Sequence, residues 1–199
     1  MKTIRSENML IRLGSMWIAG FVILLLAWVF SFRALPEGAS RGSSGVFHVP
    51  IKAEDAMATF FRIFLWNLCV ACIPVAVGNL VRVKGLPLGY LLVFYHWGTY
   101  RVLLGTNSFV IPGPGKFLPS LVTLFYGSGI YEISSYTFVS SATFNLHSRY
   151  GDSTGDWTSV RRHRWSALRL SKTELAVIAF AILILALSNY YEAWYIFHI

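Results

Sequence analysis

Apolar residues in this chain come in five long runs, not in alternation. The runs cover residues 10–30, 58–81, 86–104, 117–147 and 174–197. About 20 apolar residues in helical form cross a hydrocarbon layer of about 30 Å, and each run is of that order. The stretches between them carry helix-breaking or polar residues. Residues 31–57 include Pro36, a Gly/Ser-rich segment and Pro50, and residues 105–116 include Ile111-Pro112-Gly113-Pro114-Gly115. Residues 148–173 are strongly basic. The pattern predicts an all-α fold, a polytopic helical membrane bundle of about five transmembrane helices forming one domain over residues 1–199. Lys2, Arg5 and Arg12 precede the first run as in a signal peptide. That run is long enough to span, however, and no small-x-small cleavage site follows it, so we read an uncleaved first helix with Trp17 and Trp28 at the two interfaces.

Composition supports this reading. Hydrophobic residues make up 55% and charged residues 13% of the chain, with a mean hydropathy of +0.56. A soluble domain carries about twice that charged fraction. The net charge of +8 does not imply nucleic-acid binding, because basic residues of membrane proteins collect in cytoplasmic loops. With a cytoplasmic amino terminus, the inner segments hold Lys2, Arg5, Arg12, Arg82, Lys84 and the basic loop of Arg149, Arg161, Arg162, Arg164, Arg169 and Lys172. The outer loops hold Arg33, Arg41, Lys52 and Lys116. Five spans then place the carboxyl terminus outside, in a multi-pass protein of the cytoplasmic membrane. Within the basic loop, Val160 to Leu170 is expected to lie as an interfacial helix, with Trp165 and Leu168 among the headgroups. Cys69 and Cys72 lie in an apolar segment without neighbouring ligands and read as core packing.

The polar residues inside the apolar runs carry the candidate chemistry. Glu132 follows Gly127-Ser128-Gly129 in a stretch with no other charge between Lys116 and Arg149. An ionisable residue at that depth is costly and by default marks a functional site. The glycines permit close helix approach or a break in the fourth helix. In the second run, Asn67, Ala71, Pro74 and Gly78 recur at helical spacing as a small-and-polar stripe, with a kink expected at Pro74. The third run holds His96, Gly98, Thr99 and Arg101, too polar for a lipid-facing helix. The fifth is capped by Ser171 or Thr173 and carries Ser188, Asn189 and Glu192 on one face. The alternating topology places Arg62, Asn67, His96, Arg101, Ser128, Gly129, Glu132, Asn189 and Glu192 between the outer leaflet and the midplane. We expect them to form one buried polar cluster, with Arg101 as partner of Glu132 or Glu192.

Three segments resemble the stage II sporulation protein M family. Phe60, Ile63, Phe64 and Asn67 fit its F-x-x-I-F-x-x-N opening, Gly129-Ile130-Tyr131-Glu132 its H-G-x-x-E helix, and Glu192-Ala193-Trp194 its terminal I-E-A-F. Order and spacing match from Phe60 onward, about two-thirds of the chain. The family histidine before the glycine is Ser128 here, and the Asn-Gly of the third segment corresponds to His96-Trp97-Gly98. The resemblance implies an all-helical prokaryotic membrane protein that acts as a scaffold beside envelope hydrolases. It also implies kinship with proteins from circular bacteriocin clusters linked to maturation, export or self-protection.

These readings lead to a non-catalytic membrane subunit, with a transporter or permease subunit using the Glu132/Glu192 cluster as the alternative. The chain has no HExxH, no GxSxG and no nucleotide-binding glycine loop, so we expect neither enzyme activity, cofactor nor metal. The expected partners are the lipid bilayer, other membrane or ATPase subunits, a second copy of the chain, and a peptide substrate.

Overall fold

The computed structural model describes residues 3–41, 55–83, 86–108, 114–125, 127–149 and 170–198. Residues 150–169 lie outside the described residues, and with them nearly all of the interfacial helix expected at 160–170.

After a short 3-10 turn at Thr3–Arg5, helix α1 spans Met9–Ala34. Asn8 caps it, its side-chain oxygen accepting from the Leu10 and Ile11 amides at 2.9 and 3.3 Å. The helix runs four residues beyond the apolar run because nothing stops it before Pro36. Leu35, the residue before that proline, is extended (φ −100°, ψ 144°), as the proline ring requires.

The second segment is one rod in three parts: α2 (Ala56–Asn67), a π-helical turn (Leu68–Cys72) and α3 (Ile73–Gly78). Asp55 caps α2 through the Ala58 amide at 2.7 Å. The expected kink takes the form of this wide turn. Pro74 has no N–H and its ring crowds the carbonyl four residues back. The chain widens just before it, where the Ile73 amide reaches back to the Leu68 carbonyl. Two short strands, β1 (Arg82–Val83) and β2 (Leu86–Pro87), pair antiparallel, and the second leads into α4 (Leu88–Thr106). That helix ends at Asn107, whose φ of 51° is a left-handed conformation that asparagine tolerates.

The fourth apolar run is broken. Helix α5 (Leu121–Phe125) is short, Gly127 turns with φ +98°, and α6 (Gly129–Ala142) follows before a 3-10 turn at Phe144–Arg149. Helix α7 (Lys172–His198) opens with a reciprocal cap. Ser171 Oγ accepts from the Glu174 amide at 3.2 Å, and Glu174 Oε2 accepts from the Ser171 amide at 2.7 Å.

The contacts set the directions of the rods. Trp97 lies against Gly20, Arg101 against Trp28, and Gly105 against Ser31, so α1 and α4 run parallel. Tyr90 meets Phe144, while Tyr100 meets Gly129, so α6 runs against α4. Glu132 meets Asn189 and Phe138 meets Phe180, so α7 runs against α6.

Helices α1, the α2–α3 rod and α7 are long and apolar enough to cross a membrane. Helices α4 and α6 are the inner ones. Helix α6 buries Ser134, Ser135, Thr137, Ser140 and Ser141. Three of these are buried at low cost because Ser134, Ser135 and Thr137 return their hydroxyl protons to the carbonyls of Ile130, Tyr131 and Ile133, whereas Ser141 Oγ has no hydrogen-bond partner among the described residues. Their small size lets neighbouring helices approach closely. The core around them includes Met16, Leu24, Trp28, Val75, Tyr90, Val93, Trp97, Ile133 and Leu185.

Candidate functional site: a carboxyl–amide network at a helix break

The site lies where α6 begins. The break at Gly127 puts Ser128 at the N-cap and Glu132 on the first turn of α6, where both meet α7. Helical spacing on α7 brings Asn189 and Glu192 to the same side, one turn apart. On α2, Asn67 is the last residue before the π-turn.

These side chains form one chain of contacts. Asn67 Nδ2 donates to Asn189 Oδ1 at 3.2 Å. Asn189 Nδ2 donates to Glu132 Oε1 at 2.5 Å. The carboxyl groups of Glu132 and Glu192 lie within hydrogen-bond reach of each other. Ser128 Oγ donates to Glu192 Oε2 at 2.7 Å. Asn189 is fully buried, whereas Glu132 and Glu192 are partly buried. Beside these side chains is a cavity of about 160 Å³ lined by Tyr100, Gly127, Ser128, Tyr191, Glu192 and Tyr195. Tyr100 closes the inner wall: a side chain at Gly129 would collide with its ring and hydroxyl.

The expected cluster is therefore assembled in part. Asn67, Ser128, Gly129, Glu132, Asn189 and Glu192 come together. Arg62 does not belong to it, being exposed on α2, about a turn and a half before Asn67. Nor does Arg101 pair with either glutamate. Its guanidinium stacks on Trp28 at 4.5 Å and on Tyr100 at 4.9 Å, and among the described residues none of its nitrogens has a hydrogen-bond acceptor. The ring of Tyr100 separates it from the carboxyl pair. His96 is buried against Tyr136, one turn beyond Glu132, with ring centroids 5.1 Å apart. Trp28 is a core residue, not an interfacial one, 1% exposed and donating its indole N–H to the Phe117 carbonyl at 2.9 Å. Ser31, expected in a loop, is a buried helical residue hydrogen-bonded to the Arg101 carbonyl.

Three residues not expected from the sequence take part in these contacts. Tyr100 is one helical turn from His96 on the face toward α6, and that spacing was the available signal. Asn79 and Arg12 fasten the other end of α6. Asn79 Nδ2 donates to the Ser140 carbonyl and to Thr143 Oγ1, both at 2.7 Å, and Arg12 Nη2 donates to the Ser141 carbonyl at 2.8 Å. Arg12, expected to serve only the charge bias of the amino terminus, is 1% exposed.

Among the described residues, no group of three or more His, Cys, Asp or Glu side chains is placed to hold a metal. Fold and site together define a helical membrane protein whose inner helix is held by polar clamps at both ends. No protein-family model, curated protein or solved structure matches the chain.

Proposed function

We propose that the chain is a non-catalytic integral membrane subunit, a scaffold or partner in a membrane complex for bacteriocin-type peptide maturation, export or immunity, or for envelope remodelling. The observation that carries this reading is the self-contained network of Asn67, Asn189, Glu132, Glu192 and Ser128. Its polar groups bond to one another across three helices, which is what a device for fixing helix register requires. The resemblance to the stage II sporulation protein M family agrees with a scaffold, and it touches the same Asn67, Gly129, Glu132 and Glu192. The basic-residue bias supports a five-span arrangement with a cytoplasmic amino terminus. The test is cross-linking in native membranes followed by purification of the chain. A membrane or ATPase subunit recovered in fixed ratio with the wild type, and depleted with Glu132→Leu, supports the reading. A chain recovered alone overturns it.

A second reading, a transporter or permease subunit, is favoured by the cavity that opens beside the carboxyl pair at a broken helix. It expects flux in proteoliposomes that Glu132→Gln abolishes. Equal flux through the wild type and the variant excludes it.

A further inference from the structure

The cavity beside Glu192 combines that residue's carboxyl group with three tyrosines. Tyr100 comes from α4, and Tyr191 and Tyr195 come from successive turns of α7, their ring centroids 6.2 Å apart and their planes inclined by 30°. Ser128 and Glu192 supply its polar wall, while Gly127 leaves a stretch of bare backbone with open space where a side chain would stand.

We propose that this cavity binds an organic ammonium group. Charge is the first reason. Glu192 presents an acidic group to the cavity, and among the described residues none of those lining it is basic. The nearby guanidinium of Arg101 is held behind Tyr100, on that residue's ring. Donors are the second. Glu192 spends acceptor capacity on Ser128, but a carboxylate offers about four acceptor sites, so a further N–H donor can be received. Aromatic rings are the third, since ring faces attract ammonium groups at short range and more strongly where water is excluded. Size is the fourth. About 160 Å³ is close to the roughly 150 Å³ of a cavity that holds one benzene molecule. A four-carbon ammonium fits such a space and a nucleotide does not.

Depth defines the source. Glu192 is six residues before His198, so at 1.5 Å per residue it lies about 9 Å below the end of α7. An amine on a lipid headgroup reaches that level from within the bilayer, and a lysine side chain or free peptide amine reaches it from water. The proposal does not rest on the scaffold reading, because a chain without any partner would still bind the amine.

The test uses the full chain in phosphatidylglycerol nanodiscs titrated with n-butylammonium, with n-butanol as the neutral counterpart, followed by saturation-transfer NMR. The expected result is saturable binding of butylammonium, none of butanol, and at least a tenfold loss of affinity in Glu192→Gln and in Tyr191→Leu. Tyr191 is exposed at the rim, so its substitution leaves the core intact. Equal behaviour of butylammonium and butanol, absence of saturable binding to the wild type, or unchanged affinity in Glu192→Gln overturns the proposal. Where binding is found, competition by phosphatidylethanolamine placed in the disc assigns the site to a headgroup, and lack of competition assigns it to a water-borne amine.

Discussion

Asn189 uses its amide at both ends: Nδ2 donates to Glu132 on α6 while Oδ1 accepts from Asn67 on α2. One buried side chain thus joins three helices. Asn189→Leu removes both bonds and leaves Glu132 without its amide donor. Interhelix polar contacts in membranes average about 0.6 kcal/mol and reach about 1.7. We expect a loss of about 1–3 kcal/mol in unfolding from mixed micelles. Asn67→Leu breaks only the outer bond and should cost less. Equal losses in the two variants would show that Asn189 does not bridge.

Gly89 and Gly98 on α4 should respond oppositely to alanine. A Cβ at Gly89 would stand 2.2 Å from both Asn79 Oδ1 and the Val75 carbonyl, and backbone cannot yield to it. At Gly98 the nearest atom is Ile23 Cγ2 at an ordinary 3.6 Å. Gly89→Ala should cost about 1–3 kcal/mol or more by overpacking. Gly98→Ala should be neutral or stabilising by a few tenths to about 1 kcal/mol, because it reduces backbone freedom. Thermal midpoints of the two variants in one detergent check the contrast.

Arg101 is a buried cation that rests on two aromatic rings. Replacing a buried charge by an apolar side chain of similar volume is often neutral or stabilising by about 1–4 kcal/mol. Arg101→Met should therefore hold or raise the thermal midpoint, and Arg101→Ala should lower it by opening a cavity. A lower midpoint in the Met variant would show that a counter-charge reaches Arg101 from beyond the described residues.

The π-turn fixes where Asn67 points. Deleting Val70 removes the extra residue and rotates everything upstream by about 100° relative to α3. Asn67 then turns away from Asn189. In a chain carrying Cys69→Ser and Cys72→Ala, cysteines placed at 67 and 189 should be joined by a short bifunctional reagent. With Val70 also deleted they should not be. Efficient cross-linking after the deletion would mean that α2 moves as a loose unit.

The proposed topology is open to labelling. Single cysteines at Ser6 and Ser171 should react with an impermeant maleimide only after the membrane is opened, and one at Glu37 should react in intact cells. Reaction of all three in intact cells would overturn the orientation.

Much of the architecture was legible because its determinants are local. Apolar runs, Pro36, Pro74 and the Ser171–Glu174 spacing announced the rods, the wide turn and the last cap. Depth placed Glu132 and Glu192 in one expected cluster, since an alternating bundle brings like depths together, but with Arg101 as the expected partner of either. Direction around a helix was harder to read. Arg101 and Tyr100 are neighbours in sequence but lie about 100° apart on α4, so the charge faces Trp28 and the phenol faces the carboxyl pair. Arg12 looked like a topogenic charge because nothing local distinguishes a snorkelling arginine from one that bonds to a carbonyl 129 residues away. The glycines before Glu132 offered the break as one of two alternatives, and the positive φ of Gly127 decides between them.

Helix α6 has 14 residues and is about 21 Å long, whereas α1 and α7, with 26 and 27, are each about 40 Å. A hydrocarbon slab of about 30 Å suits the long rods with some tilt and exceeds the short one by about 9 Å. Because α6 is an inner helix, the shortfall is met inside the bundle: the turn at Gly127 and the 3-10 turn at Phe144–Arg149 extend it at either end. Non-helical backbone is tolerated in a membrane protein where protein surrounds it, and the carboxyl pair stands at one of these two seams.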